Sequence, residues 1–163
     1  MRPKIKNKLQ QAYSEVHNMA NSLQGLAKAY KNHDLALMHT QQWDDTNPHL
    51  VANKIKVILE HIDPLDLSKK DRFWWHEILW FWYHHAISCA IWKRKSRSWA
   101  QFYADRAMTL QTANHPNKIT KLLWLLVYDR LAEAKWWAAQ ITGIEAKTAQ
   151  ETIREYERGE FFK

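Results

Sequence analysis

Apolar residues recur along the first thirty positions at alternating steps of four and three. Ile5, Leu9, Ala12, Val16, Met19, Leu23, Leu26 and Tyr30 hold this rhythm without a break. That is heptad spacing, and it predicts a long helix packing along one narrow seam. Lysines, asparagines, glutamines and Glu15 fill the other faces. The seam can close inside the chain or on a second copy, so residues 5–30 are the candidate homodimer surface. Gly25 lies within the pattern and costs local stability, the mark of a close helix crossing.

A shorter helix is expected over about 33–42, ahead of the turn-like WDDTNP. Asn47 and Pro48 make an N-cap and first-turn pair for LVANKIKVILEHI. Leu50, Val51, Ile55, Ile58, Leu59 and Ile62 form its apolar face, and Asp63-Pro64 closes it. Ser68, three residues before Asp71, resembles a capping box opening the next helix, expected from Lys69 to about Lys93. That segment, FWWHEILWFWYHHAISCAIW from Phe73, is apolar nearly all round, the pattern of a central buried helix. Ser96 or Ser98 is placed to cap a helix over WAQFYADRAMTLQ. Another helix is expected over about 117–141, with Gly143 as its C-terminal stop. A mostly polar helix over 144–158 and a flexible tail at 159–163 complete the chain.

Three glycines and four prolines in 163 residues are too few turn formers for an all-β chain. The expected fold is therefore all-α: a compact bundle of five to seven helices in a single domain spanning 1–163. Residues 73–92 have the length of a membrane span and end in KRKSR. However, His76, Glu77, His84 and His85 lie inside it, and a charge near a bilayer centre costs about 2.5–3.5 kcal/mol. No membrane span is expected. One cysteine, Cys89, excludes an internal disulfide framework. The N-terminus is basic without an apolar core of its own, so the expected location is cytoplasmic.

The polar residues of the tryptophan-rich helix are the first candidates for chemistry. Glu77, His84 and Ser88 fall within about 40° of one another on a helical projection, a candidate polar pocket. Glu77 and His84 are separated by about 10 Å of helical rise, too far to share one ion. The nine histidines show neither Glu-x-x-His nor His-x-x-x-His spacing. No metal or cofactor is implied. Cys89 sits late in its helix, where the dipole disfavours a thiolate, and there is no Gly-rich phosphate loop or G-x-S-x-G. The expected role is non-catalytic.

Charge supplies the remaining lead. The formal net charge is +7 and the pI about 9.5. Arg2, Lys4, Lys6 and Lys8 cluster at the N-terminus, and no acid lies between Glu77 and Asp105. Within that acid-free stretch Lys93, Arg94, Lys95 and Arg97 are flanked by Trp92 and Trp99. Lysine and arginine neutralise phosphates, and aromatic faces stack unpaired bases at about 1–3 kcal/mol each. The expected function is a small accessory protein binding nucleic acid through this helix junction. The alternative is a protein–protein interaction or assembly adaptor using the first-helix seam and an aromatic surface.

Overall fold

The computed structural model describes residues 56–110 and 118–163, with Pro3, Lys4, Asn7, Leu23 and Gln24 besides. Among these residues the chain is helical and contains no strand. Its helices are α1 (Lys69–Trp92), α2 (Arg97–Leu110), α3 (Lys118–Val127), α4 (Leu131–Ala139) and α5 (Ile144–Glu157). The helix expected over 33–42 and nearly all of the homodimer seam lie outside the described residues. Of that seam Leu23 is described, and it is helical and buried. The chain divides into two compact units, Met1–His85 and Ala86–Lys163.

In the first unit a helical stretch at 56–60 gives way to a turn before Asp63. Asp63 has extended backbone, and its carboxylate accepts a bond from the Leu65 N–H at 2.9 Å. This opens the 3-10 turn Pro64–Asp66, so Asp63-Pro64 ends the helix as its sequence predicts. Ser68 Oγ then accepts the Asp71 N–H at 3.1 Å, capping α1. Arg72 turns back to donate to the Pro64 carbonyl at 3.0 Å, which commits its guanidinium to the turn. Trp75, Ile78, Leu79, Trp82 and Tyr83 are buried along this part of α1. The Trp75 indole donates to the Leu59 carbonyl at 2.7 Å, and the Tyr83 hydroxyl to Glu60 at 2.6 Å. At Trp75 and Tyr83 a large ring is buried while its polar tip is satisfied by the neighbouring helical stretch. Among the described residues no helix is long and apolar enough to cross a membrane.

The second unit begins with the end of α1, where Ala86, Ile87, Cys89, Ala90 and Ile91 are buried. The helix stops at Trp92, Lys95 takes a left-handed φ of +55°, and the Ser96 N–H reaches back to Ala90 at 2.8 Å. Ser96, of the two candidate serines, caps α2, its Oγ accepting from the Trp99 N–H at 3.4 Å. Ala100, Ala104 and Ala107 give α2 a narrow, fully buried face. Such a face permits close approach by α3, which buries Leu122, Leu123 and Leu126. From there α2 packs on α3, α3 on α4, and α5 on both α3 and α4.

The single helix expected over 117–141 is two helices. Asp129 adopts φ +56°, its N–H bonding Leu126 O at 3.0 Å and the Arg130 N–H bonding Leu125 O at 2.9 Å. This pair of bonds is a Schellman stop. Aspartate tolerates the left-handed conformation better than most residues, so the break needs neither glycine nor proline. Gly143 is likewise placed differently: α4 ends at Ala139, and Gly143, at φ +74°, is the N-cap residue of α5. Residues 159–163, read from the sequence as a flexible tail, fold back within the unit. Phe161 is buried against Trp92 and Tyr156, and the Phe162 N–H bonds the Ile91 carbonyl at 3.0 Å.

Candidate nucleic-acid interface

The basic run lies on the connection between α1 and α2. Lys93, Arg94 and Lys95 are all exposed, and the Arg94 guanidinium lies 4.5 Å from the centre of the Trp99 ring. Trp99 is itself 38% exposed and leans on Tyr103. Lys93 and Lys95 form no ion pair among the described residues.

The other two predicted contacts turn partly inward. Trp92, although 39% exposed, meets the buried Phe161 ring edge-on at 5.4 Å. Arg97 donates to Asp129 Oδ2 at 3.0 Å and to the Val127 carbonyl at 3.4 Å, and lies over the Phe162 ring at 4.7 Å. Tyr156 donates to the other Asp129 oxygen at 2.5 Å. That hydrogen bond, helped by Arg97 and opposed by slight burial, holds the Asp129 carboxyl below its usual range. Arg97 is thus a clasp between α2, the α3–α4 turn and the C-terminus.

The polar stripe of the tryptophan-rich helix is divided between the two units. Glu77 and His84 lie in the first, Ser88 in the second, and each is half-buried. His84 stacks on Trp80 with ring centres 5.3 Å apart and meets His85 edge-on at 5.9 Å. Its Nδ1 is sealed from solvent with no hydrogen-bond partner. Burial first, and the neighbouring His85 charge second, push the His84 pKa down to about 4. The ring is therefore neutral at physiological pH. Among the described residues no three histidines, cysteines or acids are grouped to hold a metal ion.

A concave site lies where the sequence gives little warning, between α3 and α4. It is a cleft of about 390 Å³ lined by Lys121, Trp124 and Leu125 of α3, Arg130 of the turn, and Ala132, Glu133, Trp136 and Trp137 of α4. Each indole is positioned separately. Trp124 donates to Asp105 of α2 at 3.0 Å, alongside the Tyr128 hydroxyl at 2.7 Å. Trp137 donates to the Lys118 carbonyl at 2.9 Å. Lys121 lies 4.2 Å from the Trp137 ring centre and Arg130 5.1 Å from that of Trp124. Arg130 also makes a two-pronged ion pair with Glu133, at 2.9 and 2.5 Å.

Trp136 stands out with 67% of its surface exposed. Adjacent positions on a helix point about 100° apart, and on α4, whose buried positions are Ala134 and Ala138, Trp136 points away from the packed face. The Trp136-Trp137 doublet is the aromatic signal that the sequence offers for this site.

Residues 86–163 hold thirteen lysines and arginines against eight acids. Much of that charge is internally matched, through Arg97–Asp129, Arg130–Glu133, Lys135–Glu157, Arg154–Glu151 and Arg158 with Glu151 and Glu160. Lys93 and Lys95 of the loop remain outside these pairs. The loop and the cleft adjoin, because Arg97, one residue after Ser96, is bonded to Asp129, and the next residue, Arg130, lines the cleft. No protein-family model, curated protein or solved structure matches the chain.

Proposed function

We propose that residues 86–163 bind nucleic acid without catalysing a reaction on it, through the Lys93–Ser96 loop and the adjoining α3–α4 surface. The observation that carries this reading is the exposed trio Lys93, Arg94 and Lys95, with Arg94 resting on the half-exposed indole of Trp99. Ammonium and guanidinium groups displace the counterions of a phosphate backbone, and an exposed indole offers a stacking face. A guanidinium already laid on its ring is held in place before a ligand arrives. Reading base edges in a duplex needs a helix or ribbon that enters a groove. A short irregular loop beside exposed rings suits a single strand better.

The test is binding of the full chain to single- and double-stranded DNA and RNA oligonucleotides across a salt titration. Log affinity is expected to fall linearly with log salt, with single strands bound more tightly. The variant Lys93→Gln/Arg94→Gln/Lys95→Gln should bind about tenfold more weakly, with a shallower salt slope. Unchanged affinity and slope in this variant would show that the loop is not the site. Arg97 is left intact because it holds the fold.

A second reading, docking of a protein partner, is favoured by the exposure of Trp136 and of Phe102, which is 50% exposed. It predicts a salt-insensitive complex that survives the loop substitutions.

A further inference from the structure

We infer that the α3–α4 cleft is a single-nucleotide pocket, taking a base on the Trp136 indole and its phosphate between Lys121 and Arg130. The inference rests on the nucleic-acid reading and specifies where one unstacked base of the strand is captured. Size comes first. At about 390 Å³ the cleft is at the small end of ligand sites, room for one small ligand and not for a helix. It opens to solvent, so a base can enter while the rest of a strand continues outside.

The lining then selects the chemistry. Lys121 and Arg130 outweigh the single acid Glu133, so the cleft is net positive and disfavours a cation. An aromatic cage for a quaternary ammonium needs unoccupied ring faces. Here Trp137 carries the Lys121 ammonium and Trp124 the Arg130 guanidinium. A purely apolar ligand would desolvate the Lys121 ammonium and the Arg130–Glu133 pair while giving neither a new partner. A planar anion meets each demand: its ring lies on Trp136, the one indole of the three that is mainly exposed, and its negative end reaches the cations. Arg130 is aimed by its pair with Glu133, and Trp124 and Trp137 are fixed by bonds to Asp105 and Lys118. Arg130 and two of the three indoles are thus held in place before binding, with Trp136 as the open platform.

The experiment is calorimetric titration of the full chain with AMP, adenosine and inorganic phosphate as separate ligands. AMP should bind saturably at one site, and adenosine and phosphate each about tenfold more weakly, since each keeps half of the contacts. Trp136→Ala alters an exposed side chain and should weaken AMP about tenfold or more. Lys121→Gln should weaken AMP and leave adenosine unchanged. No AMP binding, or AMP binding unaffected by Trp136→Ala, overturns the inference.

Oligonucleotide binding by the loop triple variant separates this from the broader reading. If oligonucleotides bind through the loop while AMP does not bind, the cleft inference alone fails. If AMP binds at Trp136 while the loop variant holds oligonucleotides as tightly as the parent, the loop reading fails and the pocket stands.

Discussion

Arg97 and Asp129 are joined at 3.0 Å, and this bond fixes where the cationic loop ends. Asp129 does two separate jobs: it accepts from Arg97 and Tyr156, and it adopts the left-handed φ of +56° that stops α3. Substitutions divide these jobs. Asp129→Gly loses the acceptor and keeps an easy left-handed backbone. Asp129→Ala loses the acceptor and adds a left-handed penalty of about 1–2 kcal/mol. Alanine should therefore be the less stable of the two by about 1 kcal/mol. Urea unfolding would register this as a lower midpoint at unchanged slope. Equal midpoints would mean that the turn does not depend on residue 129 for its geometry.

Lys95 and Arg97 lie two residues apart and should respond oppositely. Lys95→Gln removes an exposed cation and is expected to reduce the salt slope for single strands by about 0.7 per phosphate contact, with stability nearly unchanged. Arg97→Gln removes the ion pair, the bond to Val127 O and the contact with Phe162. It should lower the unfolding midpoint and leave the salt slope close to that of the parent. Parallel salt titrations and unfolding curves of the two variants check the pattern.

His84 should make the fold sensitive to mild acid. Its pKa falls from 6.5 to about 4 on folding, so between these values the unfolded chain binds a proton that the folded chain refuses. Stability from this source is fully present above pH 6.5 and declines as the pH drops towards 4. His85 is shifted in the same direction by burial and adds to the decline. His84→Phe should flatten the fall in unfolding free energy over this window, leaving the His85 part. The same ring, followed by NMR, should stay neutral until about pH 4; protonation near pH 6.5 would show that it is not sealed.

How far the sequence foretells this fold depends on how local the deciding chemistry is. The Asp63-Pro64 stop and the Ser68 cap are local, each a side chain bonding a backbone N–H two or three residues on, and both are legible. The break at Asp129 is hidden by a chain that stays apolar through Leu122–Val127 and lacks glycine or proline. Its left-handed residue is an aspartate whose carboxylate is held by Arg97 and Tyr156, 32 and 27 positions away. The same distance effect divides the candidate site. The run Lys93–Lys95 is visible as charge, whereas the inward turn of Arg97 requires Asp129 and Phe162 to be nearby. The α3–α4 cleft depends on that unforeseen break, so its lining residues could not be grouped beforehand.

The Trp75 indole offers a last test, of how the aromatic helix is seated in the first unit. Its N–H donates to the Leu59 carbonyl at 2.7 Å, and its ring is 7% exposed. Trp75→Phe removes that donor and leaves a void where the second ring stood. Leu59 O also accepts the Ile62 N–H at 3.2 Å, so the carbonyl is not orphaned and the full penalty for an unsatisfied acceptor does not apply. The lost hydrogen bond contributes about 0.5–1.5 kcal/mol, and incomplete closure of the void raises the total loss to about 1–3 kcal/mol. In the parent, one indole N–H resonance should resist solvent exchange and vanish in the variant. An unfolding midpoint identical to that of the parent would mean that Trp75 contributes nothing to holding residues 56–60 against α1.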